Sequence, residues 1–182
     1  MAKLVDKTYG DALFELATEN NQVDTYYDEA KAVLYILKES DDLFKLYNHP
    51  KISKEEKIKV TENIFKGRIS DDLTGFLVIM INKDRHNIIK DTLEYFIASV
   101  KEYKKIGVAY VTTAVELSDA EKTAVVDKLK NTTDYVEFEI NYNVDKDIIG
   151  GMIIRIGDRV VDSSIKTKIY NISRELYNIQ LA

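Results

Sequence analysis

Gly150-Gly151, the run Asp162-Ser163-Ser164 and the two histidines, His49 and His86, are the residues whose types and spacing invite a chemical reading. Paired glycines let backbone amides approach a phosphate, and an aspartate beside two serines offers a base and two hydroxyls. Phosphate cradles, however, place their glycines after a strand and before a helix. Gly150-Gly151 instead leads into a β-prone run, so a backbone bend or bulge is the reading its order favours. Asp162 follows Val160-Val161, the one apolar context that would raise a carboxylate pKa, yet it also stands where a helix needs a cap. Neither histidine has a His-x-x-x-His or Glu-x-x-His neighbourhood, which argues against a metal site. Neither common nucleotide-phosphate glycine motif occurs, and nothing around Ser163 or Ser164 makes a nucleophile elbow. The expectation is therefore no catalytic residue, no cofactor and no metal. A small enzyme using Asp162 and a Gly150-Gly151 pocket stands as the alternative from a different class.

The elements around these residues explain them as folding signals. Met152–Ile156 and Arg159 to Val161 flank Gly157-Asp158, and a two-residue loop with glycine first suits a type II′ hairpin turn. Ser163 and Ser164 then offer caps for a final helix, whose Ile165, Ile169, Ile172, Leu176 and Ile179 form a seam with heptad-like spacing. Docking of that seam on the sheet is expected. Upstream, Val108 to Val115 is rich in β-branched residues, Ser118 to Glu121 reads as a capping box, and Val136, Phe138, Ile140 and Tyr142 alternate with polar residues. Residues 106–182 thus read as a small β-α-β-β-α domain.

Residues 1–105 carry helical periodicity and almost no glycine. Tyr9, Ala12, Leu13, Leu16 and Ala17 make one stripe, and Val23, Tyr26, Tyr27, Ala30, Val33, Leu34 and Leu37 a second. Ser40-Asp41-Asp42 offers caps for a short helix with Leu43, Phe44, Leu46 and Tyr47, which must stop before Asn48-His49-Pro50. Ser53 and Glu56 form a capping box, and Gly67 closes that helix. Leu73, Phe76, Leu77, Met80 and Ile81 follow. The sixth stripe is Ile89, Leu93, Phe96, Val100 and Tyr103, ending at Gly107. The fold class is α+β, an N-terminal six-helix bundle before the small domain.

Composition narrows function. The chain has 182 residues, a net charge of -5 and no cysteine, which excludes disulfides, thiolate zinc and thiol nucleophiles and disfavours a nucleic-acid partner. Its longest apolar run, Phe76 to Ile81, is too short to span a bilayer, and the N-terminus lacks a secretory pattern. What remains for function is surface, with tyrosines suited to rim or fill the bundle core or to meet a partner.

The order of signals resembles the delta subunit family of bacterial F-type ATP synthase, which includes the oligomycin-sensitivity conferral protein. Tyr9-Gly10-Asp11-Ala12-Leu13 is similar to an opening Tyr-Ala-x-Ala-Leu, and Pro50 to Lys57 resembles Pro-x-Ile-x-x-x-x-Lys. Phe76-Leu77 to Arg85 resembles Asn-Phe-Leu followed by Lys-Gly-Arg. Val144-Asp145 to Ser164 resembles the family signature through Gly150, Gly151, Gly157, Asp158, Asp162 and Ser164. Gly10 stands for Ala in these patterns, Gly75 for Asn, Asp84 for Gly and Ser163 for Gly. The resemblance implies a non-catalytic stator protein on the cytoplasmic face of the bacterial plasma membrane, peripheral, tying the catalytic head to the stalk so that proton-driven rotation is coupled to ATP synthesis. It implies that alpha-subunit N-terminal helices dock on Tyr9, Ala12, Leu13, Leu16, Phe76, Leu77 and Met80, and that the second domain receives the b subunits. A stand-alone adaptor or scaffold unrelated to ATP synthase is the alternative reading.

Overall fold

The computed structural model describes residues 2–49 and 51–180. Its contacts divide the chain into two units, Met1–Lys101 and Glu102–Ala182. Six α-helices precede the first strand: α1 (Ala2–Glu19), α2 (Val23–Glu39), α3 (Asp41–Asn48), α4 (Lys54–Phe65), α5 (Asp71–Asn82) and α6 (Ile89–Tyr103), the last entered through a 3-10 turn at His86–Ile88. Each is amphipathic, and helices of this length need a covering partner to persist in water. They share one core, in which Leu13, Tyr26, Leu37, Phe65, Leu73, Leu77, Met80, Ile81, Ile89, Leu93 and Phe96 are fully buried. Tyr27 and Tyr47 are buried as well, Tyr9 and Tyr95 are half-buried, and Tyr103 is exposed.

Side-chain hydrogen bonds fix the helix ends. Ser53 and Glu56 cap each other's backbone amides at 3.2 and 3.0 Å, opening α4 as its sequence predicts. At α5, the Ser70 hydroxyl accepts from the Leu73 amide and donates to the Glu29 carboxylate, which ties the start of α5 to the middle of α2. The Tyr26 hydroxyl donates to Asp72 at 2.6 Å, and the Asn20 amide donates to both. Ser40, by contrast, makes no side-chain cap bond at α3. That helix runs to Asn48, one residue past the stop its sequence predicts; Pro50 and the side chain of Phe44 lie outside the described residues.

Two expectations for α6 are corrected. The helix ends at Tyr103, where Lys105 takes the left-handed conformation with φ 54°, and Tyr103 faces solvent. Gly107 lies within the first strand, where a Cβ would come within 2.5 Å of the Phe138 ring. Its glycine serves ring packing, not helix termination.

The second unit contains β1 (Ile106–Thr113), α7 (Asp119–Thr132), β2 (Glu137–Val144), a 3-10 turn (Lys146–Ile148), β3 (Met152–Ile156), β4 (Arg159–Asp162) and α8 (Ile165–Gln180). The sheet order is β2-β1-β3-β4. β1 and β2 run parallel, so the chain must cross over between them, and α7 is that crossover. Because the hairpin supplies two strands, the order is β-α-β-β-β-α, one strand more than the sequence predicts. Ala109, Val111, Val125 and Leu129 are buried between the sheet and α7, with Phe138, Ile140, Met152, Ile154 and Ile156 around them. On the opposite sheet face Tyr110, Arg155 and Val160 are exposed, and Arg155 stacks 4.6 Å from the Tyr110 ring centre.

The expected docking of α8 on the sheet does not occur. Ile165, Ile169, Ile172 and Leu176 are between 42% and 59% exposed, while the side chain of Ile179 lies outside the described residues. None of these side chains joins the buried cluster between the sheet and α7, and α8 leaves the sheet at the Gly150–Ile165 contact.

The hairpin turn follows its sequence. Ile156 pairs with Arg159, leaving Gly157-Asp158 as the loop, and Gly157 has φ 54° while Asp158 stays on the negative side. That is the type II′ requirement, with positive φ at the first loop residue alone. A Cβ at Gly157 meets no atom, so Gly157→Val isolates the backbone cost. We expect a loss of about 1–2 kcal/mol from the left-handed conformation, read as faster amide exchange in β3 and β4. Unchanged exchange would refute this turn type.

Candidate functional site

The glycine segment forms a junction between the sheet and α8. Ile149 has φ 69° and Gly151 φ 75°, so the chain reverses here. A Cβ on Gly151 would stand 2.5 Å from the Ser163 carbonyl oxygen, and one on Gly150 would stand 2.7 Å from the Ile165 side chain. The glycines therefore allow two chain segments to touch. Backbone bonds close the contact, Ser163 N–H to Met152 O at 3.0 Å and Ile165 N–H to Gly150 O at 2.9 Å. The Ser163 hydroxyl also donates to Met152 O, work that the glycine of the resembling pattern cannot do.

Asp162 and Ser164 share the capping of α8. Ser164 accepts from the Thr167 amide, and Asp162 accepts from the Ser164 amide and the Thr167 hydroxyl, each at 2.8 Å. These bonds to Ser164 and Thr167 hold the Asp162 carboxyl below the usual carboxylate range. A general base poised near neutral pH needs the opposite shift. An open depression of about 770 Å³ at the far end of the hairpin is lined by Lys105, Asp134, Asp158 and Arg159 among others, with mixed charge and none of Gly150, Gly151 or Asp162. No group of three or more metal-ligating side chains converges among the described residues.

Two of the exposed apolar surfaces lie on helices. In the first unit, α1 and α5 meet through Asn20–Asp72 and through an edge-to-face contact of Tyr9 with Phe76, ring centres 6.4 Å apart. Along this seam Ala12 and Ile79 are exposed and Tyr9, Leu16, Gly75 and Val78 half-buried. Nothing lies within 4 Å of where a Gly75 Cβ would stand. Ala12 and Gly75 are thus small residues beside the larger apolar side chains of Tyr9, Leu16 and Ile79. Of the residues the resemblance names, Leu13, Phe76, Leu77 and Met80 are core, Tyr9 and Leu16 half-buried and Ala12 exposed; outside that set, Gly75 and Ile79 also reach the surface of α5. The signal for them was present, because both fall on the polar side of the α5 stripe, where an isoleucine has no core to join. In the second unit α8 exposes Ile165, Ile169, Ile172 and Leu176 together with Tyr170 and Tyr177, and strand residues such as Val144, Val160 and Val161 are exposed as well.

A family model described as ATP synthase delta (OSCP) subunit matches residues 5–176. The chain belongs to that family. An ATP synthase subunit delta from Lachnoclostridium phytofermentans is 59% identical over 181 residues, covering 100% of both chains. One from Clostridium botulinum strain Loch Maree is 33% identical over 174 residues, covering 96% of this chain and 97% of the relative. Among solved structures, a chain of the Toxoplasma gondii mitochondrial ATP synthase hexamer superposes with a TM-score of 0.73 at 19% identity, covering 94% of this chain and 97% of that one. At that identity the likeness bears on the fold alone.

The family pattern also explains an odd charge cluster. Asp84 stands where the pattern has glycine, and it holds φ 56°, which a glycine adopts freely. Here Lys54 compensates, donating to the Asp84 carboxylate at 2.5 Å and to Asn82 O at 3.2 Å, and so tying α4 to the end of α5. Next to it, His86 is half-buried, with its Nδ1 buried and unpartnered. Burial first, then Lys57 and Lys54, push its pKa below the ordinary value of 6.5, and Asp84 offsets only part of this. His49, by contrast, is exposed and accepts from the Lys51 amide in a local turn. A lowered folded-state pKa means that the unfolded chain takes up the proton first. The first unit should therefore lose stability as pH falls through about 6.5 toward the lower folded value, and urea midpoints should show this drop in the native chain but a smaller one in His86→Gln.

Proposed function

We propose that the chain is a non-catalytic stator subunit of an F-type ATP synthase, tying the catalytic head to the peripheral stalk so that proton-driven rotation is coupled to ATP synthesis. The observation that carries this reading is family membership over residues 5–176 together with an exposed apolar surface on each of two units. Torque on a central shaft would spin the head unless something held it, and a tie of this kind needs two binding surfaces and no active site. The six helices of the first unit act as a bundle whose α1–α5 groove takes an N-terminal helix of the alpha subunit. The second unit receives the stalk b subunits through α8. Tyr9, Ala12, Leu16, Gly75 and Ile79 contact the alpha helix, with Leu13, Phe76, Leu77 and Met80 supporting them from beneath.

No described helix is long and apolar enough to cross a membrane. On this reading the membrane association is indirect, at the cytoplasmic face of the plasma membrane through the assembled complex.

Gly75→Leu separates groove from fold. The added side chain meets open space inside the chain and removes a helix-interior glycine, so stability should rise by about 0.5–1 kcal/mol. Binding of an alpha-subunit N-terminal peptide should fall in calorimetry, as it should for Ala12→Arg. Undiminished affinity in both variants would exclude this groove, and failure of the chain to co-purify with head and stalk subunits would exclude the stator reading itself.

A further inference from the structure

One buried charge in the first unit has no counterpart among the described residues. Lys57 lies on the inward side of α4 with Thr61 and Phe65 and is only 7% exposed. Its ammonium meets no carboxylate and no hydrogen-bond acceptor there. A buried lysine is ordinarily paired, because a charge taken out of water is costly unless an opposite charge or an acceptor meets it. Lys54, one turn earlier on the same side of α4, holds the Asp84 carboxylate and Asn82 O, which brings the end of α5 against the start of α4. His86 follows Asp84 by two residues, and its Nδ1 is buried without a partner as well. Lys57 is felt by both groups. After the bond from Lys54, its charge helps to lower the Asp84 pKa, and after burial it lowers that of His86. Two ammonium groups thus stand against one carboxylate, which Lys54 already engages, so one positive charge is left over. Around them Lys83, Arg85 and Glu55 are exposed, and Glu56 is occupied by the Ser53 cap.

We propose that Lys57, Lys54 and His86 form a binding site for one small oxyanion, seated between the start of α4 and the end of α5, where it supplies the charge that Lys57 lacks. The site uses none of the exposed apolar residues of α1, α5 or α8 and does not depend on the stator reading. An ammonium offers three donors and an imidazolium two, so an anion with several acceptor oxygens engages the group better than a halide does. A single negative charge balances the cluster. His86 gives the binding a pH dependence of definite sign, with Lys57, Lys54 and Asp84 as the charged groups around it. An anion beside Lys57 offsets the repulsion that Lys57 and Lys54 exert on the imidazolium, so the occupied site keeps that proton to higher pH and binds more tightly in mildly acidic solution. Two sources present such an anion, inorganic phosphate free in solution and a carboxylate of a protein in the assembly.

The chain has two histidines, so their imidazole proton signals are readily told apart by NMR, and His49, exposed in its local turn, serves as internal control. The full chain is titrated with sodium phosphate and, at equal ionic strength, with sodium chloride. Phosphate is expected to move the His86 signal to saturation and to raise its pKa toward 6.5, while His49 follows the chloride curve. Lys57→Met keeps an apolar stem and removes the charge; it should abolish the response with the helical content unchanged, and Lys57→Arg should retain it. In a second arm the native chain and both variants are titrated into the catalytic head in phosphate-free buffer. Binding at least about tenfold weaker in Lys57→Met, restored in Lys57→Arg and competed by phosphate in the native chain, assigns the anion to a carboxylate of the head. Equal binding by all three, with the His86 response present, assigns it to free phosphate. A His86 signal that phosphate moves no further than chloride does, or that moves equally in Lys57→Met, overturns the site. Failure of the native chain to bind the head overturns the stator reading instead, and the phosphate titration still decides the site.

Discussion

An amphipathic helix in water must have its apolar face covered, and that constraint organises this protein. The first unit meets it internally: α1 to α6 turn their stripes onto one another, and the residues that fill the space between them are almost wholly excluded from solvent. In the second unit α7 meets it by lying on the sheet. α8 does not meet it within the described residues, although its apolar spacing is as regular as any in the chain. A sequence that keeps such a seam without burying it keeps it for a partner, since exposed apolar stripes otherwise promote aggregation.

The polar and glycine positions that look chemical serve this arrangement. Gly151 is small because a carbonyl passes where its side chain would be, and Gly10 is small because the Tyr95 ring does. Asp162 spends its hydrogen-bonding capacity on the first turn of α8, so the carboxylate that seems best placed for catalysis is instead the cap that starts the exposed helix. Departures from the family pattern are absorbed locally in the same way. Ser163 gains a bond to Met152 O, and Asp84 accepts a left-handed backbone with Lys54 attached to it.

Helix existence, the two capping boxes, the hairpin turn and the change from helix to strand periodicity near residue 106 were legible in sequence, because each depends on residues within a few positions of one another. What was not legible depended on contacts between distant segments. Gly107 reads as a helix stop, and only the Phe138 and Tyr135 rings across the sheet reveal it as a strand residue. Leu13, Leu77 and Met80 share their stripes with Ala12 and Leu16, and periodicity alone does not tell the floor of a groove from its rim. Ile149 holds a positive φ that no β-branched residue would choose from local preference, and the closed junction between Gly150 and Ile165 imposes it. The exposure of α8 was misread for a similar reason. An apolar seam announces an apolar surface but not what covers it, and the α8 residues join neither buried cluster.

Magnitudes bear on how α8 can hold a partner. Full burial of a large aliphatic side chain is worth about 1.5–3 kcal/mol. The four residues of the isoleucine seam are about half exposed, between 42% and 59%, so covering the remainder yields about 3–6 kcal/mol in all. Association costs about 4–15 kcal/mol in lost freedom, so the isoleucine seam alone gives at best a weak attachment. Two further tyrosines, each offering a large ring and a hydroxyl that stays wet at the rim, add area where the first seam ends. Tyr170 and Tyr177 lie about a quarter-turn from the isoleucine seam, so the apolar area of α8 is spread over more than one face of the helix.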